Sequence, residues 1–273
     1  MERLAPLDYP SVTFQKSYRE PRTLSIIRES ATMSNANWRG IVGVIKPTYK
    51  SGSLVDFIRL LPDGIGVVPL FIGAQEHTED EYLRAMEIYH HRVTELARIG
   101  VDLIHPEGGP PFMVRGYEVE RNLAKGWEDK YGIPVVTTGM SHTEALRAMG
   151  IKRFLGLTPY QGSINEKFAR YFTDAGFEVA AMRGIEIQFS DRYKLSSEEI
   201  YGHLKKEFLK KPDVDGIYLL SPGAWRVSDV IQAEQDLNVP IIHPVAAGVW
   251  SVLKHLRVRH SLKGFSRLLE QFP

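Results

Sequence analysis

Three histidines and a glutamate stand where this chain could do chemistry. His105 and Glu107 follow an apolar run within VDLIHPEGGPPF (101–112), and His142 and His243 each lie at or just beyond the carboxyl end of another short apolar stretch. Histidine titrates near neutrality and a desolvated glutamate has its pKa raised, so such a set can take protons from a bound acid and return them. The same four residues, His105, Glu107, His142 and His243, could instead hold a divalent metal that acidifies water or stabilises an enolate. Their spacing matches no metal motif, and His-x-Glu points both side chains one way only if the Pro106 turn permits it. Each residue also has a structural reading. Glu107 can cap the amides of Gly108 and Gly109, His105 and His243 precede proline and can be satisfied structural histidines, and His142 stands between Ser141 and Thr143, either of which can cap a helix.

The composition narrows the field. With 34 basic and 33 acidic residues, the summed field gives no reason to expect nucleic acid or an anionic membrane as partner. The basic stretch RVRHSLK (257–263) reads as a solvated terminus. No apolar run approaches the roughly 20 residues of a membrane span and the N-terminus carries no apolar signal segment, so a cytoplasmic protein is expected. The absence of cysteine excludes disulfides, cysteine-ligated zinc, iron–sulfur clusters and thiol nucleophiles.

The elements that must position these residues alternate strand and helix almost without exception. Apolar runs at 40–45, 66–71, 101–104, 133–137, 153–157, 177–182, 216–220 and 240–242 read as strands. Helical patterns fill 53–61, 79–99, 115–131, 144–149, 164–175, 196–209, 227–237 and 246–256, with Thr78 as a cap and Ser196 opening a capping box. The unit VDLIHPEGGPPF has an echo in VDGIYLLSPGAW (214–225). The expectation is therefore an α/β fold of two pseudosymmetric flavodoxin-like lobes with parallel sheets and a cleft between them. Residues 1–38 form an arm that wraps the body or makes a homo-oligomer contact; 39–138 with 246–273 form one lobe and 139–245 the other. The loop after the first strand, Lys46 to Gly52, sits in a usual ligand-contacting position. Gly108-Gly109-Pro-Pro and Ser221-Pro222-Gly223 are backbone devices that bring amides close to a ligand. Phe112, Met113, Trp225 and Trp250 would make the pocket partly apolar.

The order of segments, with Thr158-Pro-Tyr160-Gln-Gly-Ser and the helix after it, the Val214 to Ser221 strand and Asn238-Val-Pro-Ile-Ile, resembles the aspartate/glutamate/hydantoin racemase superfamily, in its arylmalonate decarboxylase and maleate cis-trans isomerase branch. The resemblance covers roughly residues 40–256. It implies two lobes, no cofactor and a small carboxylate held between them, with Tyr160 on a carboxylate or enediolate oxygen and Thr48, Tyr49 and Lys50 in a carboxylate-binding segment. That family works with cysteine after the central strand of one or both lobes, where this chain has Glu107-Gly-Gly and Pro222-Gly-Ala. The expected activity is accordingly a non-thiol, cofactor-independent decarboxylase, with Glu107, His105, His142 and Tyr160 catalytic and Thr48, Tyr49, Lys50, Gly108, Gly109, Ser221, Gly223 and His243 around the substrate. An isomerase or racemase, a metal-assisted hydrolase of a small carboxylate or cyclic amide, and a non-catalytic binding relative are the competing readings.

Overall fold

The computed structural model describes residues 35–49, 52–75, 78–185, 194–220 and 227–271. Most of the expected N-terminal arm therefore lies outside the described residues. The first sheet contains β1 (Gly40–Lys46), β2 (Ile65–Phe71) and β3 (Leu103–Pro106) in the order β2-β1-β3. The second contains β4 (Arg153–Thr158), β5 (Glu178–Gly184), β6 (Gly216–Leu219) and β7 (Ile241–Ile242) in the order β5-β4-β6-β7. Every pairing is parallel. The earliest strand of each sheet lies inside it, so successive crossovers leave β1 and β4 in opposite directions. A crevice opens at the carboxyl ends of such strands.

The crossovers are α1 (Gly52–Leu60), α2 (Glu79–Ile99), α3 (Gly109–Met113), α4 (Tyr117–Tyr131), α5 (Thr138–Ala148), α6 (Ser163–Asp174), α7 (Ser197–Leu209), α8 (Val227–Leu237) and α9 (Pro244–His255), followed by the short α10 (Arg267–Glu270). Helix α2 shows how the local signals act together. Thr78 accepts from the Glu81 amide, three acids occupy the first turn, Tyr82, Ala85, Tyr89, Val93 and Leu96 are buried at helical spacing, and Gly100 ends it at φ 81°. Ser196 and Glu199 form the expected capping box of α7. One apolar core joins the two sheets: Val42, Val44 and Leu103 belong to the same cluster as Phe154, Phe172 and Tyr218. Within it Phe172 meets Tyr218 and Phe154 edge-on at 4.7 and 5.1 Å, contacts worth about 1 kcal/mol each beyond their buried area. Among the described residues no helix is long and apolar enough to cross a membrane.

Five local expectations are corrected. The strand expected at 101–104 begins at Leu103, because the Asp102 carboxylate caps the Ile41 amide at 2.8 Å, and it runs on through His105 to Pro106. The stretch 133–137 contributes one bridge, Val135 to Ile104, instead of a full strand. Helix α5 then starts at Thr138, six residues earlier than expected, with Thr137 as its cap. The Gly-Gly-Pro-Pro segment is a helical turn with proline in its first turn, where no amide hydrogen is needed. Finally, 257–263 is not a solvated terminus: Val258 within it is buried, and the chain after it packs on the body, with Leu268 and Leu269 buried and Glu234 accepting from the Arg267 amide at 2.7 Å.

Candidate active site

A cavity of about 100 Å³ opens at the carboxyl ends of the strands and is lined from both halves of the molecule. Its charged floor is Lys46 with Glu107. Register explains the pair: Ile45 lies opposite Pro106 in the β1–β3 ladder, and the Glu107 amide donates to the Ile45 carbonyl at 2.8 Å, so residues 46 and 107 are the next neighbours across the ladder. Lys46 is 2% exposed. Its Nζ donates to the Ser53 hydroxyl at 2.8 Å and makes an ion pair with Glu107 Oε2. The chain beyond Glu107 is also fixed. Tyr89 donates its hydroxyl to the Glu107 carbonyl at 2.5 Å, and the Gly108 amide donates to Thr138 Oγ1 at 3.0 Å. Gly108 has φ 107°, and a Cβ there would lie 2.7 Å from the Tyr89 hydroxyl, so only glycine turns the chain here.

His105 lines the same cavity. Its Nδ1 lies 2.5 Å from the Val136 carbonyl, which assigns the hydrogen to Nδ1 and leaves the lone pair on Nε2. The ring stacks on Phe57, centroids 5.8 Å apart and planes 13° off parallel. Burial holds its pKa below the ordinary value, against the opposing pull of Glu107, so the neutral ring is an acceptor at pH 7. From the other half comes Tyr160, just past β4. Its amide donates to Thr158 Oγ1 at 3.0 Å, Asn165 Nδ2 donates to its carbonyl at 2.6 Å, and its ring meets Phe168 edge-on. Its hydroxyl lies 2.8 Å from that of Tyr82. The remaining wall is apolar, made by Phe57, Leu220, Val245 and several prolines.

The structure brings together His105, Glu107, Tyr160, Thr48, Gly108 and Gly109, all of which line the cavity. It does not bring His142 or His243 to it. His142 lies in the second turn of α5, fully buried, with Nδ1 2.9 Å from the Tyr218 hydroxyl. Burial, with His105 and His243 nearby, lowers its pKa to about 3. His243 caps α9, where its Nδ1 accepts from the Val245 amide at 3.2 Å, and burial lowers its pKa to about 3. Neither can carry a proton at neutral pH. The Gly108 amide is engaged by Thr138 and is not offered to a ligand. Tyr49 is 70% exposed, with its ring against Phe71. Lys50, Ser221, Gly223 and Trp225 lie outside the described residues. Phe112, Met113 and Trp250 are packed into the core and do not line the cavity. Among the described residues no group of three His, Cys, Asp or Glu side chains could hold a metal ion, so the four-residue ligand set is not assembled.

Sequence reasoning placed Lys46 in a ligand-contacting loop without giving it a role, and missed Ser53, Tyr82 and Thr138. The one signal for a role of Lys46 was a charge closing the strand GIVGVIK, and the strand's burial on both sides is what makes that charge unusual.

The architecture is the two-lobed one of solved arylmalonate decarboxylase and maleate isomerase structures. Residues 42–269 match the family described as arylmalonate decarboxylase, and the chain belongs to that family. The arylmalonate decarboxylase of Bordetella bronchiseptica is 22% identical over 214 residues, 78% of this chain and 89% of the relative. A maleate isomerase of Pseudomonas putida S16, solved with maleate as a cysteine-to-alanine variant, has a TM-score of 0.77 at 20% identity, over 85% of this chain and 97% of that one. A cysteine variant of the Nocardia farcinica maleate cis-trans isomerase, with a TM-score of 0.78 at 18% identity over 86% and 99% of the two chains, carries a covalently bound succinylcysteine intermediate. The present chain has no cysteine with which to form one.

Proposed function

We propose that the chain is a cofactor-independent lyase of the decarboxylase type, acting on a small carboxylic acid held between the two sheets. The observation that carries this reading is the Lys46–Glu107 pair on the floor of a cavity whose other walls are largely apolar. A carboxylate pressed against Phe57, Leu220 and Val245 loses its hydration, while the charge that moves to the enolate or enediolate oxygen as carbon dioxide leaves is met by the Lys46 ammonium and the Tyr160 hydroxyl. The Lys46–Glu107 pair then returns a proton to the carbon, the step for which this chain has no thiol.

A second reading, isomerisation or racemisation, is favoured by one observation: His105 and Glu107 both line the cavity, giving two groups able to take and return a proton. Both readings are tested by following substituted malonates, 3-oxo acids and unsaturated acids by NMR with the purified protein. Loss of carbon dioxide from one of them, reduced at least tenfold in Lys46→Met and in Tyr160→Phe, supports the lyase. A product of unchanged mass supports the isomerase. Conversion unaffected by either substitution contradicts both.

A further inference from the structure

Resting on that reading, we infer that the acid taken by this cavity carries one carboxylate, and that its activating group is a neutral carbonyl, as in a 3-oxo acid or the half-amide or half-ester of a diacid. The relatives are named for malonates and maleate, which bring two carboxylates. This cavity already contains one of its own. Glu107 answers the charge of Lys46 before any ligand arrives, and its backbone is anchored beside that lysine. Its amide is bound to Ile45, its carbonyl is bound by Tyr89, and Gly108 after it is held by Thr138 in a conformation other residues rarely adopt.

Among the described lining residues Lys46 and Glu107 are the charged pair, and His105 is neutral. The described lining therefore balances to zero. Glu107 lines the cavity and is paired with Lys46, so a second ligand carboxylate drawn to that ammonium stands beside Glu107 as well. Two like charges about 5 Å apart at an effective dielectric of about 20 weaken binding on the order of a hundredfold. A neutral carbonyl avoids that repulsion and gains from Lys46. As the bond to the carboxylate breaks, its electron pair forms the carbon–carbon double bond of an enolate and the carbonyl oxygen takes up the charge beside the ammonium. Carbon dioxide leaves, the carbon takes a proton from the Lys46–Glu107 pair, and water restores that proton. No oxidant or reductant is needed.

The test is calorimetric binding of matched acids to the full chain at neutral pH: malonate against its monoamide, succinate against succinamate, and maleate against maleamate. The monoamides are expected to bind at least tenfold more tightly than the diacids, and Glu107→Gln is expected to narrow or reverse that ratio tenfold. Wild-type protein alone gives an independent measure, because acidification that protonates one carboxylate of each diacid should close the gap. Diacids binding as tightly as monoamides, or a ratio unmoved by Glu107→Gln, overturns the inference. Preserved selectivity without turnover of any acid overturns the lyase reading and leaves the inference standing, and binding of neither class overturns both.

Discussion

The hydroxyls of Tyr82 and Tyr160 lie 2.8 Å apart across the cavity, joining residues 78 positions apart in the chain. Tyr82 comes from the first turn of α2 and Tyr160 from the turn after β4. Beside them Lys167 of α6 makes an ion pair with Glu79 of α2. The two halves are thus tied at the mouth of the site by their polar ends. One hydroxyl donates to the other, and when Tyr82 is the donor the hydrogen of Tyr160 is left for a ligand.

Tyr160→Phe is expected to lower kcat/KM roughly tenfold to a hundredfold, the range for removing one donor from a developing oxyanion. Tyr82→Phe should lower it less, and the double variant should be no worse than Tyr160→Phe alone. Steady-state kinetics of the three variants checks this; strictly additive losses would show that the two hydroxyls do not act as a unit.

The Lys46–Glu107 pair makes a prediction about stability as well as activity. Lys46→Met leaves Glu107, whose side chain is 14% exposed, without its counter-charge, at a cost of about 3 kcal/mol. Adding Glu107→Gln removes the uncompensated charge and should restore most of that loss while leaving the protein inactive. Urea unfolding of the three variants is the measurement, and a double variant less stable than Lys46→Met would contradict it.

Glu120 of α4 is fully buried, takes the Tyr171 hydroxyl from α6 and faces the Thr137 hydroxyl and Gly139 amide at the start of α5. Burial raises its pKa to about 7 from 4.5. Between those values the folded state keeps a proton that the unfolded chain has lost, so this contribution to stability falls as pH rises through the window, by about 3 kcal/mol in all. Measured by urea unfolding, Glu120→Gln should gain ~2 kcal/mol on wild type between about pH 5 and about pH 8. His142 and His243 act in the opposite sense. Their pKa values of about 3 lie below the unfolded value, so their contribution is lost as pH falls from about 6.5. A gap between Glu120→Gln and wild type that stays constant with pH would show that Glu120 titrates normally.

Gly139 allows that arrangement. A Cβ there would lie 2.4 Å from Glu120 Oε2 and 2.5 Å from the Tyr171 hydroxyl. Gly139→Ala is therefore expected to destabilise the fold by about 2 kcal/mol. Since α5 also presents Thr138 to the cavity, the same change should raise KM. Thermal unfolding and kinetics check the two effects, and a neutral substitution would contradict the packing.

The alternation of strand and helix was legible because both sheets are parallel and buried, so their strands read as unbroken apolar runs and their crossovers as amphipathic helices. The cap at Thr78 and the capping box at Ser196 were legible for the same local reasons. The start of α5 was not, because Thr137 and Gly139 are set by Glu120 and Tyr171, distant in sequence. The site was half legible. Glu107, His105 and Tyr160 stood out by type and by position after strands, whereas Lys46 stood only as the first residue of a ligand-contacting loop, and its pairing with Glu107 came from the register that puts residue 46 beside 107. His142 and His243 carried the same chemical promise as His105; all three are buried, and His105 alone of them lines the cavity.

Dialysis against a chelator should leave turnover unchanged, because His105, Glu107, His142 and His243 are not assembled into a ligand group. Activity lost on chelation and regained with a divalent ion would refute the cofactor-independent reading.

In the proposed reaction an acid loses carbon dioxide over Lys46, and the Lys46–Glu107 pair returns the proton. Turnover in deuterium oxide, read by NMR of the product, tests it most directly. The expected result is one deuterium at the carbon that lost carbon dioxide, delivered to a single face by wild type, with turnover nearly abolished in Lys46→Met and proton return slowed in Glu107→Gln. Unchanged turnover and unchanged stereochemistry in both variants would contradict it.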